Sequence, residues 1–454
     1  MAARNGLAKS ARRHVVLVPG FGAFDALGRV EYYAGITRIF QNWTDARQDS
    51  SAPPLVLHYF DNLPTAAVET RAKRLRQYLA KRIARGEIRK TDEIVLVGHS
   101  TGGLDIRQLV YDLREPQNAV VPVDGGYPVS AESIRGALKK AVFLSVPHWG
   151  TNIADWVCSH VPLRKTVIRE LRVAFAGSQL PLLDRLEAAL TGDAACFTGA
   201  ELLLAVRDLL TESDDRLCRR DPTRLANAQE AESEVALYLR HMDTDFHVIT
   251  DLASDPHQGA KNPAHFNDKQ RAKELRQWKD PLIETLSYAT VGGRPFKFDV
   301  EPGSAVRPFE LSNPCDLRQV ADGSGSAAGT DISYRLTYRA CAGGPFHRPV
   351  QTVARVLGPA PPQPLQLWDN DGIVNTLSML WPTGDTTLVW ADHLDIIGHY
   401  VLTLAKPEAD SAGCQPPRVY LSYDSLRSAP LFEGETFRTL WEEIFDFAAR
   451  SDRP

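Results

Sequence analysis

Cysteine is scarce in this chain. Six cysteines spread over 454 residues do not make a disulfide framework. That excludes the small, disulfide-stapled scaffolds of secreted proteins. Cys315 and Cys341 are the one suspect pair, because they flank a single hairpin-like segment; a cytoplasmic chain keeps them reduced. Long apolar runs are missing too. None approaches the roughly 18 residues that a membrane span needs. Charge of one sign is also lacking: 52 Lys and Arg stand against 56 Asp and Glu, a formal net charge of −4. No nucleic-acid footprint is visible in that balance. The basic residues 1–13 and the apolar run 14–24 superficially match a secretion signal. The run is rich in valine, turns through Pro19-Gly20 and lacks an A-x-A site, so it reads as the first core strand and the chain as cytoplasmic.

What is present is ordinary globular material. The chain is 43% hydrophobic and 24% charged, with ample substance for a large core. Length alone fits two or three domains, or one sheet with large insertions.

The most informative stretch is Leu96-Val97-Gly98-His99-Ser100-Thr101-Gly102-Gly103, a G-x-S-x-G pattern. The run Glu93-Ile94-Val95-Leu96-Val97 before it reads as a buried parallel strand, and residues 104–113 after it read as a helix. A serine on such a sharp turn is exposed at the positive end of the helix, and the strained turn needs small neighbours. The bland alternative is a tight turn with an inert serine.

Apolar periodicity predicts an α/β fold with a mostly parallel central sheet and helices on both faces. Predicted strands lie at 14–18, 54–60, 93–97, 141–145, 283–290 and 386–390. Residues 25–43 carry helical spacing and are expected to cover the sheet edge. Residues 65–84 form a basic amphipathic helix whose charges read as a solvated face, and residues 434–450 form a closing helix on the sheet. His148, in Pro147-His148-Trp149-Gly150-Thr151, stands at a strand's carboxyl end but reads as structural. Five segments follow: 14–152, the first half of the core; 153–247, a helical insertion; 248–306, more core; 307–345, a small β-containing insertion; and 346–454, the second half of the core. Leucines at 183, 186 and 190 give the helical insertion one greasy face, as either a lid or a fixed layer would have.

A serine hydrolase needs a base to take the hydroxyl proton and an acid to orient that base. In α/β-hydrolases the order is Ser, acid, His. Ser100, Asp371 and His393 have that order, with Asp369 the rival acid. Two backbone N–H donors are needed for the oxyanion; Thr101 follows the nucleophile, and Phe21 lies in the turn after the first strand.

With these pieces in view, the chain resembles the bacterial true lipases of the α/β-hydrolase fold. It looks most like the thermoalkalophilic branch, with N-terminal likeness to the foldase-dependent branch. The matching pieces are Val16-Leu17-Val18-Pro19-Gly20-Phe21-Gly22, Tyr33-Ala34-Gly35-Ile36, the serine motif, Pro147-His148-Trp149-Gly150-Thr151, Asn370-Asp371-Gly372-Ile373-Val374-Asn375-Thr376 and Asp392-His393-Leu394-Asp395-Ile396-Ile397-Gly398. The last two are the specific ones. The resemblance implies a catalytic triad of Ser100, Asp371 and His393, an oxyanion hole of Phe21 and Thr101, and an ester substrate with an apolar acyl chain, met at a lipid interface. Pro19 departs from the histidine usual in that position, and the two insertions do not match closely.

These lipases carry a structural calcium, and the thermoalkalophilic branch adds zinc. Asp395 matches one calcium ligand, but Tyr400 and His399 stand where further oxygen donors belong. Asp251 matches one zinc aspartate, but residues 61–89 contain no histidine to pair with it. The expectation is therefore no zinc, and calcium absent or weakly held. A soluble short-chain esterase or polyester hydrolase is the near rival. A catalytically silent hydrolase fold serving as a binding module is the rival from another class.

Overall fold

Apolar runs without polar alternation need cover on both faces, and here they have it. Seven strands form one parallel sheet: β1 (Arg13–Val18), β2 (Leu55–Tyr59), β3 (Glu93–His99), β4 (Leu138–Leu144), β5 (Glu284–Val291), β6 (Arg355–Leu357) and β7 (Thr386–Trp390). Their order across the sheet is β6-β7-β5-β4-β3-β1-β2. This is a computed structural model; it describes residues 11–22, 26–27, 30–47, 53–151, 154, 247–253, 268–279, 282–292, 355–358, 369–381, 386–400 and 432–450. The 307–345 insertion with Cys315 and Cys341, and residues 155–246 of the helical insertion, lie outside them.

Strand residues alternate between two cores. Val16 and Val18 of β1, Leu96 of β3 and Phe143 of β4 face one side. There they meet α2 (Val68–Ala84), α3 (Thr101–Asp112), α4 (Ala131–Ala137) and α5 (Val248–Leu252). Val15, Leu17, Val97 and Leu144 face the other side, under α1 (Ile36–Asp45) and the C-terminal helix Gly434–Ala449. That helix buries Phe437, Leu440, Trp441, Ile444 and Phe445, whose spacing is helical. A further helix, Asp268–Gln277, packs beside α3. The arrangement is an α/β-hydrolase fold, with the serine-bearing strand β3 between β1 and β4.

Three local expectations change. Residues 26–27 and 30–31 form a short antiparallel pair, and the helix expected over 25–43 begins at Ile36. It packs with the C-terminal helix on a sheet face, where Trp43 meets the aromatic cluster around Phe445, and Thr37 hydrogen-bonds Tyr59 of the edge strand β2. In α2, Arg71 and Arg76 are buried, so the charged face is not wholly solvated. The sixth strand, Arg355–Leu357, was not predicted; three residues are too few to show a period.

At the amino ends of the strands two buried cations cap the C-terminal helix. The Arg13 guanidinium donates to the carbonyls of Ala448, Ala449 and Arg450, and Lys140 Nζ donates to those of Phe447 and Arg450. They satisfy carbonyls that helix geometry leaves without partners.

The same edge carries a histidine pair. His14 Nδ1 lies 2.8 Å from His58 Nε2, and His14 Nε2 lies 3.3 Å from Asp92 Oδ2. Burial first, then the charge of Arg82, pushes the His58 pKa down to about 3. The unfolded chain takes up this proton below its ordinary value near 6.5, whereas the folded chain refuses it. Stability from this group is therefore full above about pH 6.5 and falls as pH drops toward 3, by at most about 1.4 kcal/mol per unit. Thermal melts from pH 7.5 to 4.5 should show a shallower decline in His58→Gln than in the wild type. Equal slopes would refute the assignment.

Candidate active site

The turn after β3 is built on backbone strain. Ser100 has φ 52° and ψ −129°, and it is one of two non-glycine residues with positive φ among the described residues. Its N–H donates to the Leu144 carbonyl of the neighbouring strand at 2.9 Å, and its own carbonyl accepts from Gly103. The flanking glycines are required by space. A Cβ on Gly98 would fall 2.7 Å from the Gly103 nitrogen, and one on Gly102 would fall 2.3 Å from the Val18 oxygen. Thr101 opens α3, where backbone N–H groups lack intrahelical acceptors.

The turn after β1 runs beside the serine. A Cβ on Gly20 would lie 2.6 Å from Ser100 Cβ. A buried ion pair holds this turn from beneath. Arg71 Nη2 donates to the carbonyls of Pro19, at 2.7 Å, and Gly20, at 3.0 Å. Its Nε donates to Asp105 on α3, whose second carboxylate oxygen also accepts from Asn62 Nδ2 at 3.0 Å. Burial pushes the Asp105 carboxyl upward against the pull of Arg71. Phe21 follows this turn, half-buried against the core.

Asp371 and His393 meet at the carboxyl ends of β5 and β7. Asp371 Oδ2 lies 2.6 Å from His393 Nδ1, and the Asp371 carbonyl accepts from the His393 N–H at 2.9 Å. Both side chains are buried. Asp371 Oδ1 accepts from the N–H groups of Ile373, at 3.1 Å, and Val374, at 2.7 Å. Thr290 on β5 donates its hydroxyl to Oδ2 at 2.7 Å, and Ser145 lies 2.8 Å from that hydroxyl. The carboxylate thus has four donors, counting the imidazole. Asp369 is also buried, and its carbonyl accepts from Thr376.

The His393 loop is seated against the serine turn. The rings of His99 and His393 are 4.7 Å apart, and His99 Nε2 donates to the His393 carbonyl at 2.8 Å. Burial, with His393 close by, pushes His99 well below the usual histidine range and keeps it neutral. His148 is fully interior, packed on Phe143 and Trp381, and its carbonyl accepts from Arg107.

The acidic residues considered for metals are engaged otherwise. Asp395 Oδ2 accepts from the Asp392 N–H at 2.8 Å, and Asp392 Oδ1 accepts from Leu394 and Asp395. These bonds brace the histidine loop. Asp251 Oδ2 accepts from the Val68 N–H at 2.7 Å, at the start of α2. Among the described residues no group of three or more His, Cys, Asp or Glu side chains is arranged to hold a metal ion.

Sequence reasoning missed Arg71, Asp105, Thr290 and Ser145. Thr290 had one signal, a polar side chain at the carboxyl end of a buried strand. Arg71 had none, since one arginine among seven charged residues on α2 looks like the others.

No protein-family model matches the chain, and no curated protein matches it in sequence. Among solved structures it is similar to EstA from Clostridium botulinum, at 17% identity over 85% of this chain and 83% of that one, with a TM-score of 0.43. It is similar to Staphylococcus hyicus lipase, at 15% identity over 97% and 96%, with a TM-score of 0.41. It is similar to lipase 1 from Pelosinus fermentans, at 14% identity over 98% and 100%, with a TM-score of 0.41.

Proposed function

We propose that this chain is a serine hydrolase of carboxylic esters, working through an acyl-enzyme. The observation that carries this reading is the 2.6 Å contact of His393 Nδ1 with Asp371, on a loop seated against the residue that precedes Ser100. A proton on Nδ1, held by the carboxylate, leaves Nε2 as the basic nitrogen. His393 takes the Ser100 proton as Oγ attacks the ester carbonyl. The N–H groups of Phe21 and Thr101 receive the oxyanion. His393 passes its proton to the departing alkoxide, and water repeats the sequence to free the acid. The N–H groups of Ile373 and Val374 and the Thr290 hydroxyl hold the Asp371 carboxylate in place against the imidazole.

No step calls for a cofactor. The substrate is an ester with an apolar acyl chain, met in solution or at a lipid surface. The motifs around Asp371 and His393 favour a place beside the thermoalkalophilic lipases, without their zinc.

The test is covalent. A fluorophosphonate probe should label the wild type once, on the peptide containing Ser100, and leave Ser100→Ala unlabelled. Hydrolysis of p-nitrophenyl esters of rising chain length should accompany labelling, and a preference for long chains separates a lipase from a short-chain esterase. A wild type that is neither labelled nor active on any ester is the binding module instead.

A further inference from the structure

We propose that Tyr32 and His99 are positioning residues, joined in one hydrogen-bonded chain that sets the Gly20–Phe21 turn and the His393 loop together. The proposal rests on the ester-hydrolase reading and adds two side chains to it.

The chain of bonds has four members. The Gly20 N–H donates to Tyr32 Oη at 2.7 Å. Tyr32 Oη lies 2.7 Å from His99 Nδ1. His99 Nε2 lies 2.8 Å from the His393 carbonyl oxygen. Tyr32 and His99 are both buried.

Chemistry sets the direction of every bond. A carbonyl only accepts, so His99 carries its proton on Nε2. Neutral imidazole then offers a lone pair at Nδ1, and the tyrosine hydroxyl donates to it. The hydroxyl oxygen accepts from the Gly20 N–H.

The two ends of this chain are the two loops that the reaction must hold in register. Gly20 precedes Phe21, whose N–H is the proposed oxyanion donor, and His393 is the proposed base. Arg71 fixes the carbonyl side of Gly20, and Tyr32 fixes its N–H side. Tyr32 is itself held by the histidine loop, because His399 Nε2 donates to its backbone carbonyl at 3.1 Å. Without the Tyr32 hydroxyl, a buried N–H at Gly20 loses its acceptor and the turn gains freedom to rotate. A small misplacement of an oxyanion donor slows the chemical step more than it weakens binding.

Tyr32→Phe removes one oxygen and keeps the ring. The expected result is a fall in kcat of about tenfold or more, with KM within about threefold. Fluorophosphonate labelling of Ser100 should slow in parallel, and the melting temperature should stay within a few degrees. His99→Leu breaks both ring contacts and should lose at least as much. His99→Gln keeps a donor for the His393 carbonyl and should recover part of the loss. The double variant Tyr32→Phe with His99→Leu should lose less than the product of the two single losses, because both cut the Tyr32–His99 bond. A Tyr32→Phe enzyme within twofold of wild-type kcat overturns the proposal, as does a loss confined to KM or explained by unfolding at the assay temperature. An active, labelled wild type with an unaffected Tyr32→Phe refutes only this proposal. An inactive, unlabelled wild type refutes the hydrolase reading and this proposal with it.

Discussion

Ser100→Ala, His393→Ala and Asp371→Asn should each fold and each lose ester hydrolysis by on the order of a thousandfold or more. The reason differs for each. Ser100→Ala removes the atom that forms the acyl bond. His393→Ala removes the group proposed to take and return the proton. Asp371→Asn keeps the shape but lets the side chain's NH2 group face the imidazole, which favours the wrong tautomer. Asp371 is held by four donors, so its amide would also oppose the N–H groups of Ile373 and Val374 or the Thr290 hydroxyl. Asp369→Asn is the control and should keep most activity. Single and double variants should lose about equally, since the three side chains act as a unit. The measurement is kcat/KM on a soluble p-nitrophenyl ester, with folding checked by circular dichroism. An inactive Asp369→Asn beside an active Asp371→Asn would reverse the choice of acid.

Arg71→Met should cost about 3–5 kcal/mol of stability, the usual penalty for breaking a buried ion pair from one side. Arg71 and Asp105 are both fully buried. The guanidinium also donates to the carbonyls of Leu63, Pro19 and Gly20. Methionine fills the space but leaves the Asp105 carboxylate with Asn62 as its remaining described side-chain donor. Adding Asp105→Leu to Arg71→Met should restore part of the stability, because no unpaired charge remains. It should not restore activity, because the Pro19 and Gly20 carbonyls still lack their donor and the turn beside Ser100 is loosened. Urea unfolding and ester turnover measured on the same three proteins separate the two effects. A loss under about 1 kcal/mol in Arg71→Met would show that the pair is not the anchor.

The linear sequence by itself determined the strand–turn–helix around Ser100, six of the seven sheet strands to within a few residues, the closing helix and the order Ser, Asp, His. These are local properties. Apolar periodicity, a glycine on each side of a strained serine and a turn motif are all written over a few neighbouring residues. The parallel arrangement followed as well, because buried strands that alternate with helices have few other ways to pack.

Only the tertiary structure decided which acid meets the base. Asp369 and Asp371 are two positions apart, and although the motif around Asp371 favours it, no local pattern sets either one's distance from His393. The choice is made by Thr290 on β5 and by the return of the β7 loop, which brings His393 Nδ1 to Asp371. The same holds for Arg71 and Asp105, 34 positions apart, and for the Gly20–Tyr32–His99–His393 chain, whose ends are 373 positions apart. A hydrogen bond depends on distance and direction in space, and a sequence pattern records neither for residues on different elements. It was the packing of α2 on α3, and of the histidine loop on the serine turn, that brought these groups within bonding distance.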